Sequence, residues 1–324
     1  MQYYFAPMHG ITEYTYRNSY DKIFHNIDKY FTPFIVPNKS RNYKTKDFID
    51  VLPENNKGVN IIPQILTNDS DGFIATSRKL QRLGYNEVNL NLGCPSKIVV
   101  SKYKGSGFLA KREELDRFLD EIYKIDDMKI SVKTRIGKDD PEEFYELIKI
   151  FNKYPMEELI IHPRTQKDFY GNKPNLEVFK DALSLSTNPI CYNGDIFTGE
   201  DYNKFVQAFP KVKSVMLGRG ILANPGLVNE IKNNILIDKK LFKEFHDELL
   251  NNYIKLCNED MHVLIRMKEL WGYMRYIFPN SKEYLKEIKK SQKVSEYREA
   301  VLCLLTEQEI VEGAGLFTQG NWGV

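Results

Sequence analysis

Cysteine is scarce: four residues in a chain of 324, at Cys94, Cys191, Cys257 and Cys303. They lie far apart and form no CxxC pair, which leaves zinc and iron–sulfur chemistry without ligands; no metal is expected. So few thiols suit a reducing compartment, and a cytoplasmic location is expected. No apolar stretch is long enough to span a bilayer, so no membrane partner is expected. The opening "MQYYFAPMHG" lacks a basic region followed by a long apolar run, so no signal peptide is expected either. An excess of one charge is also absent: 46 Lys+Arg face 44 Asp+Glu, a net of +2. Any contact with a polyanion must therefore come from a local basic surface. With 42% hydrophobic residues the chain can build a substantial core, and its length allows one large α/β domain with a smaller appendage.

What is present is an alternation. Eight short apolar runs, several rich in β-branched residues, punctuate the first two-thirds: Tyr3–Met8, Tyr30–Pro37, Asn60–Leu66, Glu87–Leu92, Lys129–Gly137, Glu158–Pro163, Pro189–Gly194 and Ser214–Gly220. Most are apolar at both parities, the pattern of parallel strands covered on both faces. Amphipathic stretches such as Ser70–Leu83, Glu113–Tyr123, Pro141–Tyr154 and Glu200–Phe209 separate them. Pro141 behind two aspartates suits a helix start, because its ring angle fits the first turn and the carboxylates face the positive helix end. Eight βα units predict a TIM (β/α)8 barrel over residues 1–237. Residues 38–59 are polar and irregular and read as a long loop over the barrel mouth. From Asp238 to Val324 strand patterns vanish and helical periodicity takes over, predicting a C-terminal all-helical bundle over 238–324. Its charges nearly cancel, 13 Lys+Arg against 14 Asp+Glu.

Catalytic residues of a TIM barrel sit at the carboxyl ends of its strands. Here those ends carry Pro7-Met8, Gln64, Asn91 with Cys94, Lys133 with Arg135, His162 with Arg164, Asn193-Gly194-Asp195 and Gly218-Arg219-Gly220. The last two groups fit a phosphate, because glycines let backbone N–H groups approach and Arg219 adds positive potential. Gln64, Asn91, Lys133 and His162 offer the donors and acceptors that match the edge of an isoalloxazine, and Lys133 can balance the charge of a reduced flavin. No GxGxxG follows a strand, so a mononucleotide flavin fits better than a Rossmann dinucleotide. Cys94 lies between Gly93 and Pro95, in a loop built to aim a thiol.

The ordered set "APM" (Ala6–Met8), "PQIL" (Pro63–Leu66), "NLNLGCP" (Asn89–Pro95), "KGSGFL" (Lys104–Leu109), "SVKTRIG" (Ser131–Gly137), "IIHPRT" (Ile160–Thr165), "YNGDI" (Tyr192–Ile196) and "LGRG" (Leu217–Gly220) resembles the tRNA-dihydrouridine synthase family. "RMKELWGYMRYIF" (Arg266–Phe278) resembles its bacterial subgroup C. The resemblance implies reduction of uridine to 5,6-dihydrouridine in the D-loop of tRNA. It implies FMN as cofactor, held by Pro7, Met8, His9, Gln64, Lys133, His162, Asn193, Gly194, Asp195, Gly218 and Arg219, with NADPH or NADH as reductant. It further implies that Cys94 protonates the uracil ring, that Asn91 faces it, and that Arg135, Lys97, Lys102, Lys104 and Arg266 meet tRNA. The bundle would recognise tRNA, and the protein is expected as a monomer. His9 and the pair Val99-Val100 depart from the usual family pattern, small or polar in the first case and Val-Asn in the second.

Two other functions remain open on the residues alone: an FMN-dependent barrel oxidoreductase acting on a free pyrimidine, dihydroorotate dehydrogenase-like, and a non-catalytic RNA-binding protein on a decayed barrel. Plainer roles also compete. Cys191, Cys257 and Cys303 read as buried hydrophobes, and Trp271, Tyr273 and Tyr276 as core by their helical spacing. His162 alone reads equally as a core histidine, and Lys286, Lys289, Lys290 and Lys293 as a solvated helix face.

Overall fold

Nine strand segments join in one sheet: β1 (Gln2–Phe5), β2 (Lys29–Phe31), β3 (Ile61–Ile62), β4 (Gln64–Ile65), β5 (Glu87–Leu92), β6 (Lys129–Gly137), β7 (Leu159–Thr165), β8 (Ile190–Tyr192) and β9 (Ser214–Leu217). The computed structural model describes residues 1–37 and 46–311. The strand order is β3-β2-β1-β9-β8-β7-β6-β5-β4, with parallel pairings. The two ends of that order are one stretch of chain. Ile61 and Ile62 pair with β2, Gln64 and Ile65 pair with β5, and only Pro63 lies between. Counted as one, β3 and β4 make the third strand of a closed eight-stranded barrel, the fold expected from the βα alternation.

By internal proximity the chain divides into two units. The first comprises Met1–His9, Asp28–Asp195 and Phe209–Met216. It holds a buried cluster of Tyr4, Ala6, Phe31, Ile62, Ile160, Cys191 and Met216, drawn from or next to β1, β2, β3, β7, β8 and β9. Its helices cover the sheet with one apolar stripe each: Phe144–Phe151 buries Phe144, Leu147, Ile148 and Phe151, spaced three and four apart. The turn before that helix starts at Pro141 inside a capping box, in which Asp140 accepts from Glu142 N at 2.9 Å and Glu143 accepts from Asp140 N at 3.0 Å.

Polar groups close the amino ends of the strands. Buried Glu158 accepts from Ser214 Oγ at 2.5 Å and from Tyr4 Oη at 3.4 Å, and Lys29 pairs with Glu87 at 2.7 Å. Burial pushes the Glu158 carboxyl up to about 7, against the opposing hydrogen bond from Ser214.

The second unit comprises Gly10–Ile27, Ile196–Ala208 and Leu217–Val324. Helix Tyr14–Phe24 packs on helix Lys239–Leu256, where Phe245 meets the rings of Tyr16, Tyr20 and Phe24. Trp271 Nε1 donates to Tyr297 Oη at 2.8 Å, and that hydroxyl lies 2.7 Å from His246 Nε2. Trp271 is therefore core, while Tyr273 and Tyr276 are half-buried. Three readings change. The stretch after Pro279 forms two helices, Lys282–Lys290 and Val294–Glu307, broken where Ser291 turns extended (φ −52°, ψ 136°). The expected mouth loop at 38–59 contains a helical turn, Lys46–Ile49, with Phe48, Asp50 and Val51 buried; residues 38–45 lie outside the described part. Of the cysteines read as buried, Cys191 is, but Cys257 is half-buried and Cys303 exposed on its helix.

Candidate active site

Every residue of β5 is buried, and Asn91 stands one residue before its end at Leu92. The Asn91 side-chain oxygen accepts from Gly93 N at 3.0 Å and Cys94 N at 2.9 Å, which bends the loop back and sets Cys94 at its turn. A chain of amides holds Asn91 in place. It donates to Gln64 Oε1 at 2.7 Å, Gln64 donates to Asn89 at 2.7 Å, and Asn89 donates to Ser131 Oγ at 2.9 Å. From the other side, Ser106 N and Oγ both donate to the Cys94 carbonyl, at 3.1 and 2.8 Å. Gly105 permits this approach: its φ is +55°, and a Cβ there would sit 2.8 Å from the Cys94 oxygen.

The thiol so held is half-buried. Burial raises its pKa, offset only in part by the Ser96 N–H and the charges of Arg135 and Lys133. It therefore stays protonated at neutral pH, the state of a proton donor. Lys133 is the register partner of Asn91 on β6. Its ammonium has no hydrogen bond or ion pair among the described residues, and burial, with Arg135 second, pulls it down to about 8.

Arg135 corrects an expectation. It is 1% exposed, so it is no surface cation for a tRNA backbone. Its Nε donates to Gly93 O at 3.0 Å and its terminal nitrogens to Thr165 O at 2.7 Å and Phe169 O at 2.8 Å. Arg135 thus ties the thiol loop to the loop after β7, with the Tyr170 ring 5.5 Å from its guanidinium.

On β7, His162 and Arg164 are both buried. Arg164 grips Asp195 with two nitrogens, at 2.9 and 2.5 Å, and gives its Nε to Asn172 O at 2.6 Å. The same guanidinium lies 2.9 Å from His162 Nε2. Arginine only donates, so His162 Nε2 accepts and the ring's proton sits on Nδ1. Asn193 donates to Met216 O at 2.8 Å, and a Cβ at Gly194 would fall 2.1 Å from Tyr192 Oη, so only glycine fits. Pro7 and Met8 are half-buried, and exposed His9 stacks on Phe34 with centroids 4.8 Å apart.

Within the first unit the structure links Gln64, Asn91, Cys94, Lys133 and Arg135 by contact or register, and His162 with Asp195 through Arg164. Lys97 and Lys102 are exposed and Lys104 is half-buried on the segment after Cys94. The other candidates lie in the second unit. Gly218 precedes the helix Arg219–Ala223, and the Arg219 guanidinium sits 5.4 Å from the Phe197 ring. Arg266 donates to Gly10 O and lies 3.5 Å from Glu13. Residue patterns alone did not single out Asn89, Tyr170 or the clamp made by Arg164. Asn89 was within reach, since it shares a face of β5 with Asn91; nothing in the sequence marks Tyr170.

The model of the family described as Dihydrouridine synthase (Dus) matches residues 4–313. The chain belongs to the dihydrouridine synthase family. Among curated relatives, tRNA-dihydrouridine synthase B of Pasteurella multocida is 26% identical over 288 residues, 86% of this chain and 85% of that protein. The tRNA-dihydrouridine(16) synthase of Neisseria meningitidis serogroup B is 25% identical over 309 residues, covering 90% and 91%. Of solved structures, an old yellow enzyme from Trypanosoma cruzi superposes with a TM-score of 0.52 at 8% identity, over 78% of this chain and 93% of that one. A morphinone reductase variant in complex with tetrahydroNAD gives a TM-score of 0.52 at 11% identity, over 74% and 90%. At such identities these two likenesses concern the fold alone, the barrel of parallel strands and surrounding helices.

Proposed function

We propose that this dihydrouridine synthase reduces uridine in tRNA, in the D-loop, to 5,6-dihydrouridine, with Cys94 as the proton donor. The observation that carries the reading is the thiol itself: braced by Asn91 and Ser106 at a strand tip, kept protonated by burial, and close along the chain to Asn91, whose register partner Lys133 is a half-buried cation with no hydrogen bond or ion pair among the described residues. A free-pyrimidine oxidoreductase is not favoured, because the family model runs through the helical region to residue 313.

The cofactor is a flavin, and we assign it as FMN. Lys133 supports the fit: a half-buried cation with no hydrogen bond or ion pair among the described residues suits an anionic or electron-rich neighbour. Pro7, Met8, His9, Gln64, Lys133, His162, Asn193, Gly194, Asp195, Gly218 and Arg219 are the residues proposed to hold it. When bound, the flavin supplies the hydride, and NADPH restores it. The protein's residues do the rest. His162, with Nε2 occupied by Arg164, has Nδ1–H as its sole donor. The amide chain from Ser131 to Asn91 holds the loop still while Cys94 gives its proton to the ring carbon next to the reduced one. Reaching a base inside a folded RNA requires that it leave its stack, so the uridine enters flipped. Residues 238–324 are proposed to recognise tRNA together with Lys97, Lys102, Lys104 and Arg266, and the protein to act as a cytoplasmic monomer.

The test has two arms. Transfer RNA from a deletion strain, measured by mass spectrometry, lacks a two-hydrogen increment at the modified uridine if the reading is right. Cys94→Ala keeps flavin binding and its reduction by NADPH but slows tRNA reduction about 10²- to 10⁴-fold, as for a lost general acid. Wild-type turnover by that variant would remove Cys94 from the mechanism.

A further inference from the structure

The segment that follows Cys94 carries an aromatic side chain where a glycine belongs. The short helix Lys97–Val100 ends with Tyr103 N on Val100 O at 2.9 Å and Lys104 N on Val99 O at 3.2 Å. These are the two bonds of a Schellman ending, and they place Tyr103 at the left-handed position, with φ +49°. Glycine takes that conformation freely, whereas a bulky L-residue pays for it. Tyr103 gains no burial in return: it is 50% exposed, and its hydroxyl makes no hydrogen bond among the described residues. Among the described residues its ring meets Lys111, whose Nζ stands 4.7 Å from the ring centroid.

The charge around it is one-sided. Residues 97–111 read KIVVSKYKGSGFLAK, with four lysines and no carboxylate. None of Lys97, Lys102, Lys104 and Lys111 takes part in an ion pair among the described residues. The segment does not drift from the catalytic loop, since Gly105 and Ser106 are packed against Cys94. An exposed ring flanked by unpaired cations is the arrangement that binds unpaired nucleotides, with the ring stacking on a base and the lysines following the phosphates.

We propose that Tyr103 is a stacking platform for a tRNA base next to the target uridine, and that Lys97, Lys102, Lys104 and Lys111 follow the adjoining phosphates. The inference rests on the tRNA reading above and adds to it the residue that holds the opened strand beside Cys94. An open surface of this kind suits a long polyanion better than the nicotinamide reductant, which would need enclosure.

Tyr103→Gly is the discriminating variant, because it suits the backbone and deletes the ring. In titrations of tRNA into flavin-loaded protein without reductant, it binds about 5- to 100-fold more weakly. The dependence on salt keeps its wild-type slope, since no cation is removed. Its melting temperature equals or exceeds the wild-type value, its flavin is reduced by NADPH at the wild-type rate, and Tyr103→Phe binds tRNA as wild type does. A lowered melting temperature would make Tyr103 structural. Slower flavin reduction would make the platform a reductant site, and wild-type tRNA affinity would leave it without a role; each overturns the proposal. If wild-type protein reduces tRNA and only Tyr103→Gly behaves as wild type, this inference alone falls. If wild-type protein neither binds nor reduces tRNA, the function falls with it.

Discussion

Two lysine-rich regions of this molecule look alike in sequence and differ in what they do with their charge. On helix Lys282–Lys290, Lys286 pairs with Glu283 at 2.9 Å and Lys290 with Glu287 at 2.9 Å, each one turn away. That face neutralises itself, as a solvated helix does. Between Lys97 and Lys111 the sequence holds no carboxylate, and its four lysines take part in no ion pair among the described residues. Half-buried Lys133 repeats the second case at a strand tip, while Arg135 and Arg164 repeat the first with carbonyls and a carboxylate. Cations that a fold leaves unsatisfied mark where something else is to bind; satisfied cations mark where the fold holds itself.

The largest effect that would break this contrast lies in the open segment. Replacing Lys97, Lys102, Lys104 and Lys111 together by alanine weakens tRNA binding on the order of 10²-fold at moderate salt and flattens the log–log salt slope by about 3. An unchanged slope would place the RNA elsewhere. Next comes Lys133→Met, with FMN held about 10- to 150-fold more weakly, as for a lost charged partner. The same change removes a pH dependence. The Lys133 folded value of about 8 lies below the unfolded 10.5, so between the two the unfolded chain holds more protons. Flavin-free wild type therefore gains stability from this group as pH rises through that window, and Lys133→Met does not. Chemical unfolding at pH 7.5 and pH 10 separates them.

Arg135→Lys sharpens the opposite side of the contrast. An ammonium cannot reach Gly93, Thr165 and Phe169 together, so stability falls by ~1–3 kcal/mol through carbonyls left unsatisfied. Thermal unfolding measures the loss. The smallest effect belongs to Lys286→Ala with Lys290→Ala, within ~0.5 kcal/mol in stability, as for exposed pairs. Their removal shifts the tRNA salt slope less than that of any two of the open lysines.

Much of this was legible in the chain. The strand runs were visible because parallel strands buried on both faces leave continuous apolar stretches, and the tips followed from where those runs stop. Legibility failed where one side chain answers to several distant loops. Arg135 reads as a strand-tip cation until the carbonyl of Gly93 and, far from it in sequence, those of Thr165 and Phe169 converge on it. Asn91 reads as a residue facing the substrate, yet its oxygen is spent on turning the thiol loop, which local spacing cannot reveal. Tyr103 lies among lysines in a polar stretch, and only its positive φ and exposure set it apart.

The polar cluster around Glu158 has a consequence of its own. With its folded value near 7 and an ordinary carboxyl near 4.5, the native state takes up a proton there that the unfolded chain releases. Its contribution is complete below the unfolded value and fades as pH climbs through 7, the reverse of the trend set by Lys133. Mild acid thus steadies the barrel at Glu158 and, in the flavin-free chain, alkali steadies it at Lys133, so the optimum for endurance and the optimum for turnover need not coincide.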